Sequence, residues 1–467
     1  MTPRFFGLNH RLWVGGVTIL LFAESVFADP LRALSPVELF TRCYAHLTQL
    51  RLAPNHPLRA AVAAGTMDPI DACMKVFGEA ALVPTGASEG TIANSTTVGR
   101  VNESLAVLRN FNSLHVNFSG NSDLIASTPD ASYKPSARTV VDETEFSLHF
   151  TRALFTPGEK ASQIVAGTTP MEALRSNGRY AGGPIPLGVQ IGDFLGVKKM
   201  PADKLAATIV TPSGTTAFNA HQGGGALGAQ SFIMMNFGLG YRKPDGGLAM
   251  PRRWAKAVYR DLLCRAVPVI RLTDASNYLQ TKVSAATPPF RTSNACVQCH
   301  ASMDPMAATA RNFFFSLDGA DVSAGGNGGS FMLKIPPTLA AETAVVDYDS
   351  SYSARPPNGT LRFRSYDGTL IEQPVSSLAE LGTQISQTND FYACLASRYF
   401  HYFTGINASL QDIGDTSLPA LSSSDLYYRN LVLGFGSRLK ASQDLPSLIR
   451  DILSSAPYRS QSFRSGN

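Results

Sequence analysis

Cys296-Val297-Gln298-Cys299-His300 is the stretch on which the reading of this 467-residue chain turns. Two thiols three positions apart, followed at once by an imidazole, form C-x-x-C-H, the attachment pattern of c-type haem. The thiols can reach two vinyl groups on one edge of the porphyrin, and the histidine reaches iron from one face. With 6 cysteines and 8 histidines in the chain, composition alone gives about 0.001 expected occurrences of the pattern. Two other chemistries use C-x-x-C. A thioredoxin-like redox pair wants a βαβ setting that the flanking sequence lacks. Half of a zinc site wants further cysteine or histidine ligands, and none follows for about ninety residues.

Cys296 and Cys299 are therefore the expected thioether attachments, and His300 the expected proximal iron ligand, of one covalently bound haem c. The ligand on the opposite face is open. Met332, in Phe331-Met332-Leu333-Lys334-Ile335-Pro336-Pro337, lies on a Gly- and Pro-flanked loop of the kind that delivers a distal methionine, and is the first choice. His401, Met250, Met234, Met235 and His221 compete with it. Met303 and Met306 stand too close in sequence to cross to the far face and are expected to pack.

Working outward, the first 28 residues carry Arg4 and Arg11, then the apolar run 12–22, then Val26-Phe27-Ala28 before Asp29. Basic, apolar and small-residue regions in that order read as a secretory signal cleaved after Ala28, with a retained N-terminal anchor as the alternative. The apolar run is short of the roughly 20 residues of a membrane-spanning helix, and no later stretch supplies one, so no transmembrane segment is expected after cleavage. The expected location is periplasmic or extracellular, in a Gram-negative bacterium. An oxidising compartment favours cross-links. With two of the six cysteines claimed by the motif, Cys43, Cys73, Cys264 and Cys394 allow three pairings; Cys43 with Cys73, on neighbouring predicted helices, comes first and leaves Cys264 with Cys394.

Charged residues make up 16% of the chain, with 39 Gly, 29 Pro and a net charge of +5. So small an excess over so long a chain excludes a nucleic-acid footprint, and the composition favours a loop-rich globular protein over a charged helical bundle or a disordered acidic chain. Ser35-Pro36-Val37-Glu38 combines a capping hydroxyl, a proline at the first helical position and a carboxylate three residues after the cap, which starts a helix. Asp68-Pro69-Ile70-Asp71 repeats the device for a helix to about Leu82, with a shorter one at 57–64 between them. Further helices are predicted at 139–155, 226–237, 251–266, 375–388, 390–403, 424–434 and 446–455, with irregular Gly/Pro-rich loops over 158–224 and a β-like piece at 360–364. Cys43-Tyr44-Ala45-His46 lacks the second cysteine of a haem site, so His46 reads as a surface or packing residue. Gly223, Gly225 and Gly228 spell G-x-G-x-x-G, but no strand leads directly into them, which favours a turn or close helix packing over dinucleotide binding.

Three segments resemble a set of domains found together in cytochrome-c-associated bacterial proteins of unknown function. These are Pro251-Arg252-Arg253-Trp254-Ala255-Lys256 through Pro268; Cys296 to Met306 with its Asp304-Pro305, continuing to Leu317-Asp318-Gly319; and Tyr366-Asp367-Gly368 through the helical stretches to Ala456-Pro457-Tyr458-Arg459. The resemblance spans roughly residues 225–460 and implies a c-type haem and an extracytoplasmic location, without a settled substrate.

The expected fold is mainly α: a cytochrome-c-like helical haem domain with additional helical domains, long irregular loops and a few short strands. The expected divisions are a signal peptide at 1–28, a small N-terminal helical domain at 29–130, a central mixed helical and loop domain at 131–275, and a haem domain with C-terminal helices at 276–467. The expected role is one-electron transfer with a redox partner protein. A haem enzyme of peroxidase or oxidase type, with an open distal site for a small organic substrate within 140–270, is the alternative; a secreted binding protein with structural haem is a third reading.

Overall fold

Ser35 opens the first helix as its sequence dictates: its hydroxyl accepts from Glu38 N at 3.3 Å, and the Glu38 carboxylate accepts from Ser35 N at 2.8 Å, a reciprocal capping box. The resulting α1 (Pro36–Thr48) buries Leu39, Phe40, Cys43 and Leu47 on one face. α2 (Pro57–Ala63) and α3 (Pro69–Gly78) follow, the latter capped by Asp68, which accepts from Ile70 N at 2.7 Å. The structure is a computed structural model and describes residues 32–48, 50–79, 81–86, 89–92, 145–175, 194–199, 207–211, 214–218, 223–229, 232–233, 236, 251–282, 293–311, 314–318, 330–334 and 357–461.

Among these residues there are thirteen α-helices and ten strands of four to six residues, so the chain is mainly helical. After α3 come α4 (Glu145–Phe155), α5 (Gln163–Ala166), α6 (Arg252–Leu262), α7 (Leu272–Lys282), α8 (Asn294–Ala308), α9 (Leu378–Gln387), α10 (Asn389–Thr404), α11 (Ser423–Ser442), α12 (Leu445–Ser454) and α13 (Ala456–Arg459). The strands are β1 (Leu82–Gly86), β2 (Glu89–Ile92), β3 (Met171–Arg175), β4 (Phe194–Lys199), β5 (Ala207–Thr211), β6 (Gly214–Phe218), β7 (Phe314–Asp318), β8 (Ser330–Lys334), β9 (Gly359–Arg364) and β10 (Leu370–Val375). The first four form one antiparallel sheet in the order β1-β2-β4-β3, and the remainder pair as three hairpins.

Buried apolar side chains from Leu39 to Tyr458 form one connected core cluster. The first and last described segments meet over it. Leu34 N donates to Arg459 O at 2.8 Å and Gln461 N to Arg32 O at 2.7 Å, and the Arg42 guanidinium donates to the carbonyls of Tyr458 and Ser460 at 2.7 Å each. Disulfides join Cys43 to Cys73 and Cys264 to Cys394, with Cα separations of 6.1 and 5.2 Å, inside the range usual for a disulfide. The pairing expected from neighbouring helices is the one found.

Several boundaries depart from expectation, each for a local reason. The helix beginning at Pro69 ends at Gly78 rather than near Leu82, because the chain turns there into β1. The segment expected as one helix over 226–237 begins with a 3-10 turn, Gly225–Gly228, and leaves helical geometry at Ala229 (φ −58, ψ 132). α6 stops at Leu262 because Cys264 takes a left-handed conformation (φ 52) on its way to Cys394. Loops 158–224 contain α5 and four of the strands, and the predicted start at 139 lies outside the described residues.

Candidate functional site

α8 carries the C-x-x-C-H pattern in its first two turns. At 3.6 residues per turn, positions 296, 299, 300 and 303 share one face. That face is intermediate in exposure along its length, while Val297, Ala301 and Met306 are buried. The helix is seated from beneath by a small apolar cluster in which Val297 and Ala301 meet Ile270 and Ala275. Gln298 Nε2 adds a hydrogen bond to Ile270 O at 3.1 Å. On another side Tyr259 of α6, fully buried, donates its hydroxyl to Arg362 O of β9 at 2.8 Å, and burial pushes that phenol's pKa up.

The frame around α8 is held by ion pairs between distant segments. Arg271, just before α7, grips Asp412 through Nε at 2.6 Å and Nη2 at 2.9 Å. Arg364 of β9 binds Asp274 of α7 at 2.8 and 2.6 Å. Both carboxylates are held below the usual range: burial acts against this most strongly, and the guanidinium and backbone hydrogen bonds together with the nearby arginine charges outweigh it. Arg265 joins Asp390 of α10, which also accepts from Ser365 Oγ and Tyr366 N, so the chain around the second disulfide is fixed to the β9–β10 turn.

Cys296 and Cys299 are unbridged, whereas the other four cysteines pair. Burial pushes the Cys299 thiol's pKa up, and the neighbouring Cys296 acts in the same direction; Lys256 of α6 pulls the other way. His300 turns Nδ1 toward Asp304, one helical turn on, at 3.1 Å from Oδ2 and 3.2 Å from Oδ1. Asp304 is 7% exposed at its side chain, and Arg252 in the first turn of α6 approaches the same carboxylate through Nε at 2.5 Å and Nη2 at 3.2 Å. An Nδ1–H donating to the carboxylate leaves the lone pair on Nε2. Two unbridged thiols on one helical stripe with an imidazole beside them are the donor set that fits a covalently attached haem.

The spacing alone brought Cys296, Cys299 and His300 together. Arg252, 52 residues upstream of Asp304, carries no sequence signal for its place beside the motif. Met306 is fully buried in the main core and Met303 packs against it. Met332 lies on β8, opposite Ser316 of β7, rather than on a loop. His401 is in the last turn of α10, its carbonyl accepting from Gly405 N at 2.7 Å. Met234, Met235, Met250 and His221 lie outside the described residues, as does the glycine cluster 325–329. Among the described residues no three His, Cys, Asp or Glu side chains gather into a metal-binding group, and no helix is long and apolar enough to cross a membrane.

The remaining sequence signals resolve as packing. His46 packs at a tilt against Phe403 and Tyr458, with Nδ1 at 3.1 Å from the Tyr458 hydroxyl. Gly223, Gly224 and Gly225 all have positive φ (80, 78 and 50°), and a Cβ on Gly223 would collide with Ala379 of α9, so these glycines let a tight turn touch a helix.

Comparison with protein-family models, with curated proteins and with solved structures finds no match in any of the three.

Proposed function

We propose that this protein is an exported monohaem c-type cytochrome that transfers single electrons in the periplasm or outside the cell, related to the cytochrome-c-associated bacterial proteins whose segments it resembles. The observation that supports this most is the geometry of the motif itself: Cys296, Cys299 and His300 share one helical stripe, apart from the four cysteines that pair with one another.

On this reading Cys296 and Cys299 would hold the haem through thioethers, and His300 would supply a nitrogen ligand. When bound, the haem provides a metal centre that takes up and gives back one electron. The chain's own part is to hold the ligand helix still. Val297 and Ala301 anchor it below, Gln298 ties its first turn to residue 270, and Tyr259 joins α6 to β9 beside it. A single centre passes electrons only to a molecule that docks nearby, so a redox partner protein belongs to the proposal. The +5 net charge favours no particular partner.

The test is intact mass and the visible spectrum of protein exported from cells equipped for c-type haem maturation, oxidised and reduced, with and without cyanide. One haem mass above the mature polypeptide and low-spin bands unmoved by cyanide are expected. High-spin bands that shift with cyanide would transfer the protein to the haem-enzyme reading. The polypeptide mass alone would overturn the proposal.

A further inference from the structure

The arrangement behind His300 is more elaborate than a ligand needs merely to be held. One carboxylate, Asp304, is shared by two donors on two helices: His300 Nδ1 at 3.1 Å from the same helix, and the Arg252 guanidinium, with Nε at 2.5 Å and Nη2 at 3.2 Å, from α6. The carboxylate is nearly dry, at 7% exposure, while His300 and Arg252 are each about a quarter exposed, at 22% and 26%. A charge this well shielded from water acts strongly on what it touches.

We propose that Asp304 is the positioning residue of the haem ligand and that Arg252 tunes it. This rests on the haem reading above. Accepting the Nδ1–H bond fixes the tautomer and ring plane of His300, so that Nε2 is the nitrogen offered to iron. The same bond draws the proton toward the carboxylate, which makes the imidazole a stronger donor and favours ferric over ferrous iron. Arg252 acts in the opposite sense: its two-point, charge-assisted grip holds the carboxylate in place and withdraws part of its charge from the histidine. The pair sets the midpoint potential, the carboxylate pulling it down and the guanidinium pulling it up. One electron enters from an external reductant as iron goes from ferric to ferrous, and no other bond changes.

Opposed signs are the signature of this arrangement and are not what loss of packing would give. The experiment is a mediated potentiometric titration of the haem-loaded full chain, unsubstituted and as Asp304→Asn, Asp304→Glu, Arg252→Gln and Arg252→Lys. Asp304→Asn is expected to raise the one-electron reduction equilibrium about tenfold, about 59 mV. Asp304→Glu should return most of that change, Arg252→Gln should lower the potential, and Arg252→Lys should fall between Arg252→Gln and the unsubstituted protein. Unmoved potentials, or Asp304→Asn and Arg252→Gln shifting in the same direction, would overturn the inference while leaving the haem in place. Absence of haem from the unsubstituted protein overturns the haem reading and this inference with it. If Asp304→Asn yields no holoprotein, Arg252→Gln decides alone, a fall supporting the inference and no change refuting it.

Discussion

His46 shows how burial sets a side chain's chemistry. Desolvation, with repulsion from Arg42 added, pushes its imidazole down from the ordinary 6.5 to about 4. The unfolded chain then binds a proton that the folded one refuses, so the stabilisation is complete above pH 6.5 and is lost progressively as pH falls toward 4, up to about 3 kcal/mol in all. His46→Gln, which keeps a polar group beside Tyr458 and removes the titration, should flatten the fall in melting temperature across that window; an unchanged slope would place the acid sensitivity elsewhere. At the motif, replacing Cys296 and Cys299 together by serine should leave the polypeptide mass without haem, read by intact mass spectrometry. These residues were legible because thiol and imidazole at fixed spacing have few other uses. Asp304 lay within reach of the same reasoning, since i and i+4 meet on a helix. Arg252 did not, because its contact with Asp304 depends on how two helices cross.

Helix starts were the most readable elements. The caps at Ser35 and Asp68 act within three residues, and the chain obeys them. Helix ends were harder. Gly434 reads as a stop, yet α11 runs on to Ser442 and ends where Gln443 adopts φ 61. The glycines inside α11 have different reasons to be there. A Cβ on Gly436 would stand 2.8 Å from the Ala393 backbone of α10, so this glycine permits two helices to touch; one on Gly434 would meet only the end of Arg438, at 3.7 Å. Gly436→Val should therefore cost roughly 1–3 kcal/mol through overpacking, while Gly434→Ala should gain about 0.5–1 kcal/mol from helix propensity. Urea unfolding of the two variants checks both signs. The four-stranded sheet was the least legible part: Glu89 pairs with Lys198, and no local pattern announces a partner so distant along the chain.

At the scale of the whole molecule the two disulfides close loops of very different length, with separations of 30 and 130 residues. In the chain-entropy account they contribute about 4 and about 5 kcal/mol. Replacing Cys264 and Cys394 by alanine should lower the denaturant midpoint further than replacing Cys43 and Cys73; the reverse order would show that the first pair guards a structure whose loss spreads. The mainly helical class was visible in the sequence because helical periodicity is local, but the single core joining Leu39 to Tyr458 was not, since it is assembled from both ends. That meeting of the ends has a temporal meaning. Arg42 and its carbonyl partner at Tyr458 are 416 residues apart, so a polypeptide threaded N-terminus first through a translocation pore must wait for almost its whole length before the latch can shut. If the chain is exported, Cys296 and Cys299 would clear the pore while that latch is still open. On the exported reading, the motif would have an interval in a chain not yet closed, and the contacts between residues 32–42 and 458–461 would form only when the latter arrive.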